Sequence, residues 1–342
     1  MEFKMGVSKR ADNGPAVPEL SIIVPMYNEE TSCGLFFDAV VPVLEANTAS
    51  YEIICVNDGS SDGTFATLCQ HRDKNSNIKL VNLSRNFGKE AALTAGLDLA
   101  SGQAVVPMDA DLQDPPELLP ELLAKWREGN QVVLARRIDR KTDSAVKRAS
   151  SRWFYSIFGK IAKPSMPPDV GDFRLMDRIV VDALKQLPER SRFMKGLFAW
   201  VGYRQTVVDY VRPERAAGET KFNYWRLWNF ALDGIFSFSS VPLKIWSYIG
   251  VIISMVASTY MIFLITKTLI TGIDAPGYAS LMSVMLFFNG IILLSLGAIG
   301  EYISRIFVEV KQRPLYLVNE LAGFDAAPVA PSKAPQSSIT ED

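Results

Sequence analysis

Two long stretches without a charged residue lie near the C-terminus and restrict the fold of this chain more than any other feature. They cover residues 245–266 and 275–300. A helix of about 20 apolar residues is long enough to cross the hydrocarbon core of a bilayer. A pair of buried core helices is the alternative, but two uncharged stretches joined by a short turn with Gly and Pro favour membrane spans. We therefore predict two transmembrane helices within residues 245–304.

The charges around these stretches predict their orientation. Basic residues precede the first stretch and follow the second: Lys244, Arg305, Lys311 and Arg313. The intervening loop carries Lys267 and Asp274. Because cytoplasmic flanks are enriched in Lys and Arg, both flanks are expected in the cytoplasm.

The two ends of the chain are expected to lack a fixed fold. Residues 1–18 are polar and lack the apolar stretch of a signal peptide, so we predict a flexible N-terminus that stays in the cytosol. Residues 305–322 are predicted to be a cytoplasmic segment. Residues 323–342 are rich in Ala, Pro and Ser and are typical of a disordered tail.

Aromatic side chains are dense just before the first span, over residues 222–238. Phe, Tyr and Trp at this density favour a segment at the level of the lipid headgroups. We predict juxtamembrane interfacial helices over 222–244. An earlier stretch, 148–163, combines helically spaced aromatic and apolar residues with four basic ones. It is either a second interfacial helix or a helix docked on the soluble part.

The composition excludes some classes of function. Lys and Arg total 36 against 37 Asp and Glu, so the chain has no net basic field and a nucleic-acid partner is not expected. Cys33, Cys55 and Cys69 form an odd set without CxxC spacing, which argues against a disulfide framework or a zinc site. The single histidine, His71, argues against imidazole-ligated zinc and against Ser-His catalysis.

The N-terminal half has the pattern of an α/β fold. Short apolar runs alternate with helical stretches, and they cover residues 21–25, 51–57, 78–83, 104–108 and 131–135. This alternation predicts a largely parallel sheet. In such sheets, ligands bind beyond the carboxyl ends of the strands. The residues that end each run are therefore the candidates for function.

Those ends are rich in acidic residues. The first run leads into Tyr27-Asn28-Glu29, the second into Asp58, and the fourth into Asp109-Ala110-Asp111. Two carboxylates spaced by one residue at a strand end can point to one hard cation, which makes Mg²⁺ or Mn²⁺ the expected cofactor. An isolated DxD triplet is often solvated surface. The convergence of three acidic loops at one edge favours a site that binds a metal and a diphosphate.

Several motifs in order resemble a known family. SIIVPMYNEE, VNDGSSDGT, NLSRNFGKEAALTAG, MDADLQDPPE, GDFRLMDR and RFMKGLFAWVGY are similar to the inverting family 2 glycosyltransferases with a GT-A fold. Within that family, the chain most resembles the polyprenyl-phosphate branch, which includes dolichyl-phosphate mannose synthases and bacterial bactoprenol glucosyltransferases. The resemblance covers about residues 19–318. It implies a cytoplasmic GT-A catalytic domain over 19–221.

The resemblance also implies roles for individual residues. Residues expected to bind the nucleotide-sugar donor are Pro25, Tyr27, Glu29, Asp58, Asp109, Ala110, Arg136, Arg215 and Lys221. A carboxylate at Asp58 could accept from the N3–H of uracil. Arg215 and Lys221 belong to an R-x-x-G-x-[ST]-K pattern that lies by the donor phosphates in the resembling family. The metal ligands implied are Asp109, Asp111 and Gln113.

The acceptor side of the expected site is less sharply defined. Asp172, in Gly171-Asp172-Phe173-Arg174, stands where the family keeps an acid near the acceptor. It is interpreted either as a general base or as a group that orients hydroxyls, with a helix N-cap as the structural alternative. Arg192 and Lys195 are candidates for binding the lipid phosphate, and the alternative is that they are solvated charges.

The implied activity is inverting transfer of one sugar from a UDP-sugar, by analogy UDP-glucose, to undecaprenyl phosphate at the cytoplasmic face of a bacterial inner membrane. A processive polysaccharide synthase would carry a QxxRW motif, which this sequence lacks. A catalytically inactive membrane scaffold is a rival of another class. The donor could also be a UDP-N-acetylhexosamine, a UDP-aminoarabinose derivative or GDP-mannose. The oligomeric state is open, although Gly290, Gly297 and Gly300 would suit helix packing in a homo-oligomer.

Overall fold

An eight-stranded mixed sheet forms the centre of the structure, a computed structural model that describes residues 17–138, 170–190, 192–211, 241–271 and 277–324. Across the sheet the strand order is β7-β5-β6-β4-β1-β2-β3-β8. The strands are β1 Leu20–Met26, β2 Tyr51–Asn57, β3 Ile78–Leu83, β4 Ala104–Pro107, β5 Val132–Arg137, β6 Val170–Asp177, β7 Gln205–Tyr210 and β8 Val318–Ala322.

The middle of this sheet is parallel, as the sequence predicts. β1 pairs in parallel with β2 and β4, and β2 pairs in parallel with β3. Every residue of β2 is buried, because helices cover both faces of the sheet. The five predicted strands are thus confirmed as β1 to β5, with ends that differ by one or two residues.

Three strands were not predicted. β6 runs antiparallel between β4 and β5, and β7 pairs in parallel with β5. The sequence of β6, VGDFRLMD, places charged residues at three positions, so it does not have the pattern of an apolar strand. β8 follows the two C-terminal helices and pairs antiparallel with β3 at the edge of the sheet.

The helices of the N-terminal part form two layers around the sheet. Their bounds are α1 Glu30–Asn47, α2 Thr64–Lys74, α3 Lys89–Leu99, α4 Leu119–Arg127 after a 3₁₀ turn at Pro116–Leu118, α5 Arg178–Lys185 and α6 Met194–Trp200. Phe36 of α1, Leu68 of α2 and Leu122 of α4 pack against one face of the sheet. Leu93 of α3 and Leu197 of α6 pack against the other face. Burial on both faces gives the sheet two hydrophobic cores.

Two long helices follow, α7 Val241–Thr271 and α8 Tyr278–Lys311. By length and composition, one stretch of the described helices qualifies as a membrane span: Phe287–Lys311, with mean hydropathy 1.7 and none of its most apolar window buried. Tyr248–Tyr260 is a shorter apolar stretch. Two spans therefore stay a prediction. The predicted interfacial segments at 148–163 and 222–240, the first 16 residues and the tail from residue 325 lie outside the described residues.

The segment after α8 returns to the sheet. The Tyr316 hydroxyl donates to Asp98 at 2.9 Å, and the Ser84 amide donates to the carbonyl of Leu317 at 2.9 Å. Near the end of α8, Glu309 accepts a hydrogen bond from the Arg190 amide at 2.8 Å. The C-terminal segment therefore contacts α3, the loop after β3 and the loop that contains Arg190.

A buried carboxylate joins three segments at the amino ends of the strands. Glu52 is 1% exposed, and its carboxylate pairs with Lys79 at 2.7 Å. It also accepts from the Ser21 hydroxyl at 2.5 Å and from the Ser101 amide at 2.7 Å. Burial by itself would raise the pKa of Glu52, but these donors hold that pKa below its usual value. The Glu52 carboxylate therefore stabilises the amino ends of the strands, at the opposite end of the sheet from the acidic loops.

We expect Glu52→Ala to lower the free energy of unfolding by about 3 kcal/mol, because it leaves Lys79 and the Ser101 amide without their buried acceptor. Glu128→Ala is the matched control, since Glu128 pairs with Lys125 at 3.1 Å on the surface. That change should cost less than about 1 kcal/mol. Urea titration of the purified chain in detergent measures both values. Equal unfolding midpoints for the two variants would contradict this account of the network.

Candidate active site

The loops that follow β1 and β2 are joined to each other. The Asn28 amide donates to the Ser60 hydroxyl at 3.0 Å, and the Asn28 side chain accepts from the Ser61 amide at 2.9 Å. The Glu29 amide donates to the Thr64 hydroxyl at 2.9 Å. Because β1 and β2 are parallel neighbours, both loops leave the same edge of the sheet. The predicted convergence of the first two acidic loops is therefore observed.

Asp58 fixes the next loop along the sheet. One carboxylate oxygen accepts the Phe87 amide at 2.7 Å, and the other accepts the Gly88 amide at 2.9 Å. Burial raises the pKa of Asp58, although the two amide donors act in the opposite direction. The residue predicted to bind the nucleoside thus also holds the loop that precedes α3.

Lys89, the first residue of α3, lies between two of the predicted catalytic acids. Its ammonium is 2.7 Å and 2.8 Å from the two carboxylate oxygens of Asp109, and 3.2 Å from Asp172. Asp172 reaches this position because β6 lies beside β4 in the sheet. Sequence reasoning assigned no role to Lys89. The available signal was its position at the start of a helix, directly after a loop of the NLSRNFGKEAALTAG motif.

Asp172 lies in a positively charged environment. Burial would raise its pKa, but Lys89, Lys195 and Arg174 together hold the pKa below its usual value. One of its oxygens is buried and has no hydrogen-bond partner among the described residues. Arg174 stacks over the Phe198 ring at 4.4 Å, and burial lowers the pKa of its guanidinium to about 10. The cations around Asp172 therefore favour the ionised form of its carboxylate.

Glu90 is a second buried acid beside this group. It accepts the Met194 amide at 3.1 Å. Burial, followed by the negative charge of Asp172, raises the pKa of Glu90 to about 7, while Lys89 and Lys195 act in the opposite direction. Glu90 is thus the acid of this site whose charge changes near neutral pH.

The predicted metal ligands lie on the loop after β4. The Gln113 amide donates to Asp111 at 3.2 Å, and Leu112 between them has a positive φ of 56°. No group of three or more His, Cys, Asp or Glu side chains is placed to hold a metal ion within the described residues. Magnesium sites often use only one or two carboxylates together with substrate phosphates. The pair of Asp109 and Asp111 fits a site of that kind.

The other predicted residues lie in different environments. Tyr27 is 49% exposed after β1, Pro25 is half-buried and Ala110 is buried. The Glu29 carboxylate accepts the Ser32 hydroxyl at 2.7 Å. Arg136 makes two hydrogen bonds to Asp209, at 2.7 Å and 2.9 Å.

The two candidates for binding the lipid phosphate are in different settings. Arg192 donates to the carbonyls of Leu187 and Glu189 at 2.8 Å and 3.2 Å, so it stabilises its own loop. Lys195 is close enough to Asp172 to lower its pKa. Arg215 and Lys221 lie outside the described residues.

Two known families match the chain. Residues 21–185 match glycosyl transferase family 2, and residues 241–306 match the GtrB C-terminal hairpin. An uncharacterized glycosyltransferase of Synechocystis is 58% identical, covering 91% of this chain and 98% of that protein. A prophage bactoprenol glucosyl transferase homolog of Escherichia coli is 46% identical, covering 89% and 99%. The SfII prophage-derived bactoprenol glucosyl transferase of Shigella flexneri is also 46% identical, covering 88% and 98%.

Two solved structures are similar to part of the chain at low sequence identity. Mannosyl-3-phosphoglycerate synthase from Rubrobacter xylanophilus has a TM-score of 0.46 at 19% identity, covering 63% of this chain and 71% of that chain. Glucosyl-3-phosphoglycerate synthase from Mycobacterium tuberculosis, in complex with Mn²⁺, UDP-glucose and phosphoglyceric acid, has a TM-score of 0.45 at 20% identity. It covers 66% of this chain and 83% of that chain.

We expect Gly59→Ala to destabilise the chain by about 2 kcal/mol, because Gly59 has a φ of 65° and an added Cβ would press on the backbone of Arg85 and Asn86. Gly34→Ala is the control, since Gly34 lies in α1 with nothing within 4 Å of an added Cβ. That change should be neutral or stabilising by up to about 1 kcal/mol. Urea titrations of the two variants compare them, and a stable Gly59→Ala variant would show that the loop has room to move.

Glu90 predicts a pH dependence of stability. Its folded-state pKa of about 7 lies above the ordinary value of 4.5, so the folded chain holds more protons than the unfolded chain between these values. Stability should therefore fall as the pH rises through this window. We expect Glu90→Gln to flatten that fall, as measured by melting temperatures across the window. A variant profile parallel to that of the wild type would contradict the assignment.

Proposed function

Because this chain belongs to glycosyl transferase family 2, we propose that it transfers one glucosyl group from UDP-glucose to undecaprenyl phosphate. The chain is a glycosyltransferase. The observation that carries the proposal is its match, over nearly their whole length, to proteins named bactoprenol glucosyl transferases, including the C-terminal hairpin. A single in-line displacement would invert the anomeric centre and give a β-linked lipid product, which later steps use to glycosylate cell-surface polymers such as the O-antigen of lipopolysaccharide.

The donor is proposed to bind at the carboxyl ends of β1, β2 and β4. Tyr27 is exposed there and is available to the nucleoside, together with Pro25, Glu29 and Asp58. The diphosphate would lie near the loop that contains Asp109 and Ala110. Arg136, Arg215 and Lys221 are further proposed contacts of the donor.

A divalent cation is the proposed cofactor of this site. Asp109, Asp111 and Gln113 would hold Mg²⁺ or Mn²⁺ jointly with the diphosphate. When bound, the cation would act as a Lewis acid that stabilises the negative charge developing on the leaving diphosphate. The two carboxylates spaced by one residue support this proposal.

In the proposed reaction, a phosphate oxygen of the acceptor is the nucleophile that attacks the anomeric carbon of the donor. The second pKa of this phosphate is expected at about 6, by analogy with phosphorylated side chains, so the phosphate is largely ionised at neutral pH and does not need a strong base. The low pKa of Asp172 makes this carboxylate a weak base. We therefore assign Asp172 to orientation of the sugar or acceptor, with Lys195 as a cation for the lipid phosphate. Arg192 is a weaker candidate, since its guanidinium is used by loop carbonyls.

Membrane association is supported by the long apolar helices. We propose that α7 and α8 form a two-span hairpin in the bacterial inner membrane, with the catalytic domain on the cytoplasmic side. Both flanks of the hairpin carry the Lys and Arg residues expected there. Gly290, Gly297 and Gly300 of α8 have open space around them, which would allow close approach of another helix in a homo-oligomer.

The test is transfer from a panel of labelled UDP- and GDP-sugars to undecaprenyl phosphate in detergent, with Mg²⁺ or Mn²⁺ and with EDTA. We expect UDP-glucose to label the lipid only when metal is present. Asp111→Asn should reduce transfer at least about a hundredfold without changing the melting temperature. Labelling by a UDP-N-acetylhexosamine, a UDP-aminoarabinose derivative or GDP-mannose instead would correct the donor. No labelled lipid from any donor, with folded protein, would favour the scaffold alternative.

A further inference from the structure

We propose that Lys89 is a positioning residue that acts as an exchangeable counter-cation in the site. Its ammonium holds Asp109 and Asp172 together before substrates bind. It gives up Asp109 when a divalent cation arrives with the donor, and then turns to a phosphate oxygen in the cleft. This inference rests on the proposed metal-dependent transfer. It concerns how binding of the metal raises the affinity for the donor, and how binding of the donor raises the affinity for the metal.

The charges around Lys89 support the first step. Two carboxylates, one on the loop after β4 and one on β6, share one ammonium, with contacts of 2.7 Å to Asp109 and 3.2 Å to Asp172. Without a cation between them, two nearby carboxylates repel each other. Lys89 therefore offsets the repulsion between the two carboxylates in the site without substrate.

The attachment of Lys89 supports the second step. Its backbone begins α3 directly after Gly88, whose amide is fixed by Asp58 at 2.9 Å. Its side chain is 47% exposed. A lysine ammonium stands on a flexible four-carbon stem with several rotatable bonds. The base of the residue is thus fixed, while its charged tip is free to change partners within the cleft.

The Lys89 ammonium and a metal ion compete for the Asp109 carboxylate. The ammonium contacts both oxygens of Asp109, so a metal ion that binds this carboxylate competes with the ammonium for the same oxygens. A donor diphosphate brings negative charge that the displaced ammonium can contact instead. Binding of the metal and binding of the nucleotide should therefore strengthen each other, and by linkage each does so to the same degree. Lys89 would keep the affinity of the site for the metal ion low until a diphosphate is present.

Direct binding of Mn²⁺ tests this without any turnover. Electron paramagnetic resonance can titrate free Mn²⁺ against the purified full-length chain in detergent, with and without UDP. We expect Lys89→Met to bind Mn²⁺ alone about five- to tenfold more tightly than the wild type, and to lose most of the strengthening by UDP. Lys89→Gln, which keeps a polar tip without the charge, should behave in the same way and serves if the Met variant does not fold.

Two controls separate charge from structure. Lys89→Arg keeps the positive charge and should keep the weak Mn²⁺ affinity of the wild type. Lys125→Met removes an ammonium that pairs with Glu128 on the surface, at an N–O distance of 3.1 Å. This change should leave the affinity for Mn²⁺ unchanged, both with and without UDP. A purely structural role for Lys89 would instead weaken Mn²⁺ binding in every variant at this position.

The outcomes distinguish this inference from the proposed function. If the wild type binds Mn²⁺ and transfers glucose, but the two neutral variants bind Mn²⁺ no more tightly than it does, the exchange is overturned and the proposed function stands. If the wild type retains no Mn²⁺ even with UDP, the metal-dependent function fails, and the exchange fails with it. Tighter binding in both neutral variants, with wild-type affinity in Lys125→Met, supports the exchange.

Discussion

The site depends on the two hydrogen bonds that Asp58 accepts from the loop before α3. They fix the Phe87 and Gly88 amides at 2.7 Å and 2.9 Å, and so fix where α3 begins. The start of α3 in turn determines the position of Lys89 between Asp109 and Asp172. A carboxylate at the end of one strand thereby helps to place the cation that contacts both acids. The donors of these hydrogen bonds are backbone amides, whose positions are fixed by the chain, whereas the Lys89 side chain is flexible.

The second requirement is an antiparallel strand in an otherwise largely parallel sheet. β6 lies between β4 and β5, so Asp172 comes to the same cleft as the acids that follow β4. Arg174 on this strand is buried under the Phe198 ring, where stacking offsets part of the loss of hydration. The site thus combines residues from the parallel strands with residues from a strand of opposite direction. This arrangement brings Asp109 and Asp172, which are far apart in sequence, to one ammonium.

Much of this architecture could be predicted from the sequence, because β1 to β5 are uninterrupted apolar runs whose ends carry the acids. β6 could not be predicted from periodicity, since Asp172 and Arg174 interrupt its apolar pattern and only tertiary contacts compensate for their burial. Lys89 was missed for a related reason. A lysine at the start of a helix is usually solvated. The neighbouring sequence does not indicate that two acids from distant parts of the chain contact it. The metal ligands, the phosphate contacts at Arg215 and Lys221, and the two spans stay predictions.

The C-terminal strand has a consequence for how the chain is made. β8 covers the exposed edge of β3, yet it lies after both long helices in the sequence. During synthesis, the edge of β3 therefore stays unpaired until α7 and α8 have left the ribosome, and an unpaired edge is a site for aggregation. The sheet is completed only when β8 pairs with β3. Completion of the catalytic fold thus follows synthesis of the hairpin, and a chain truncated within α8 would leave that edge open.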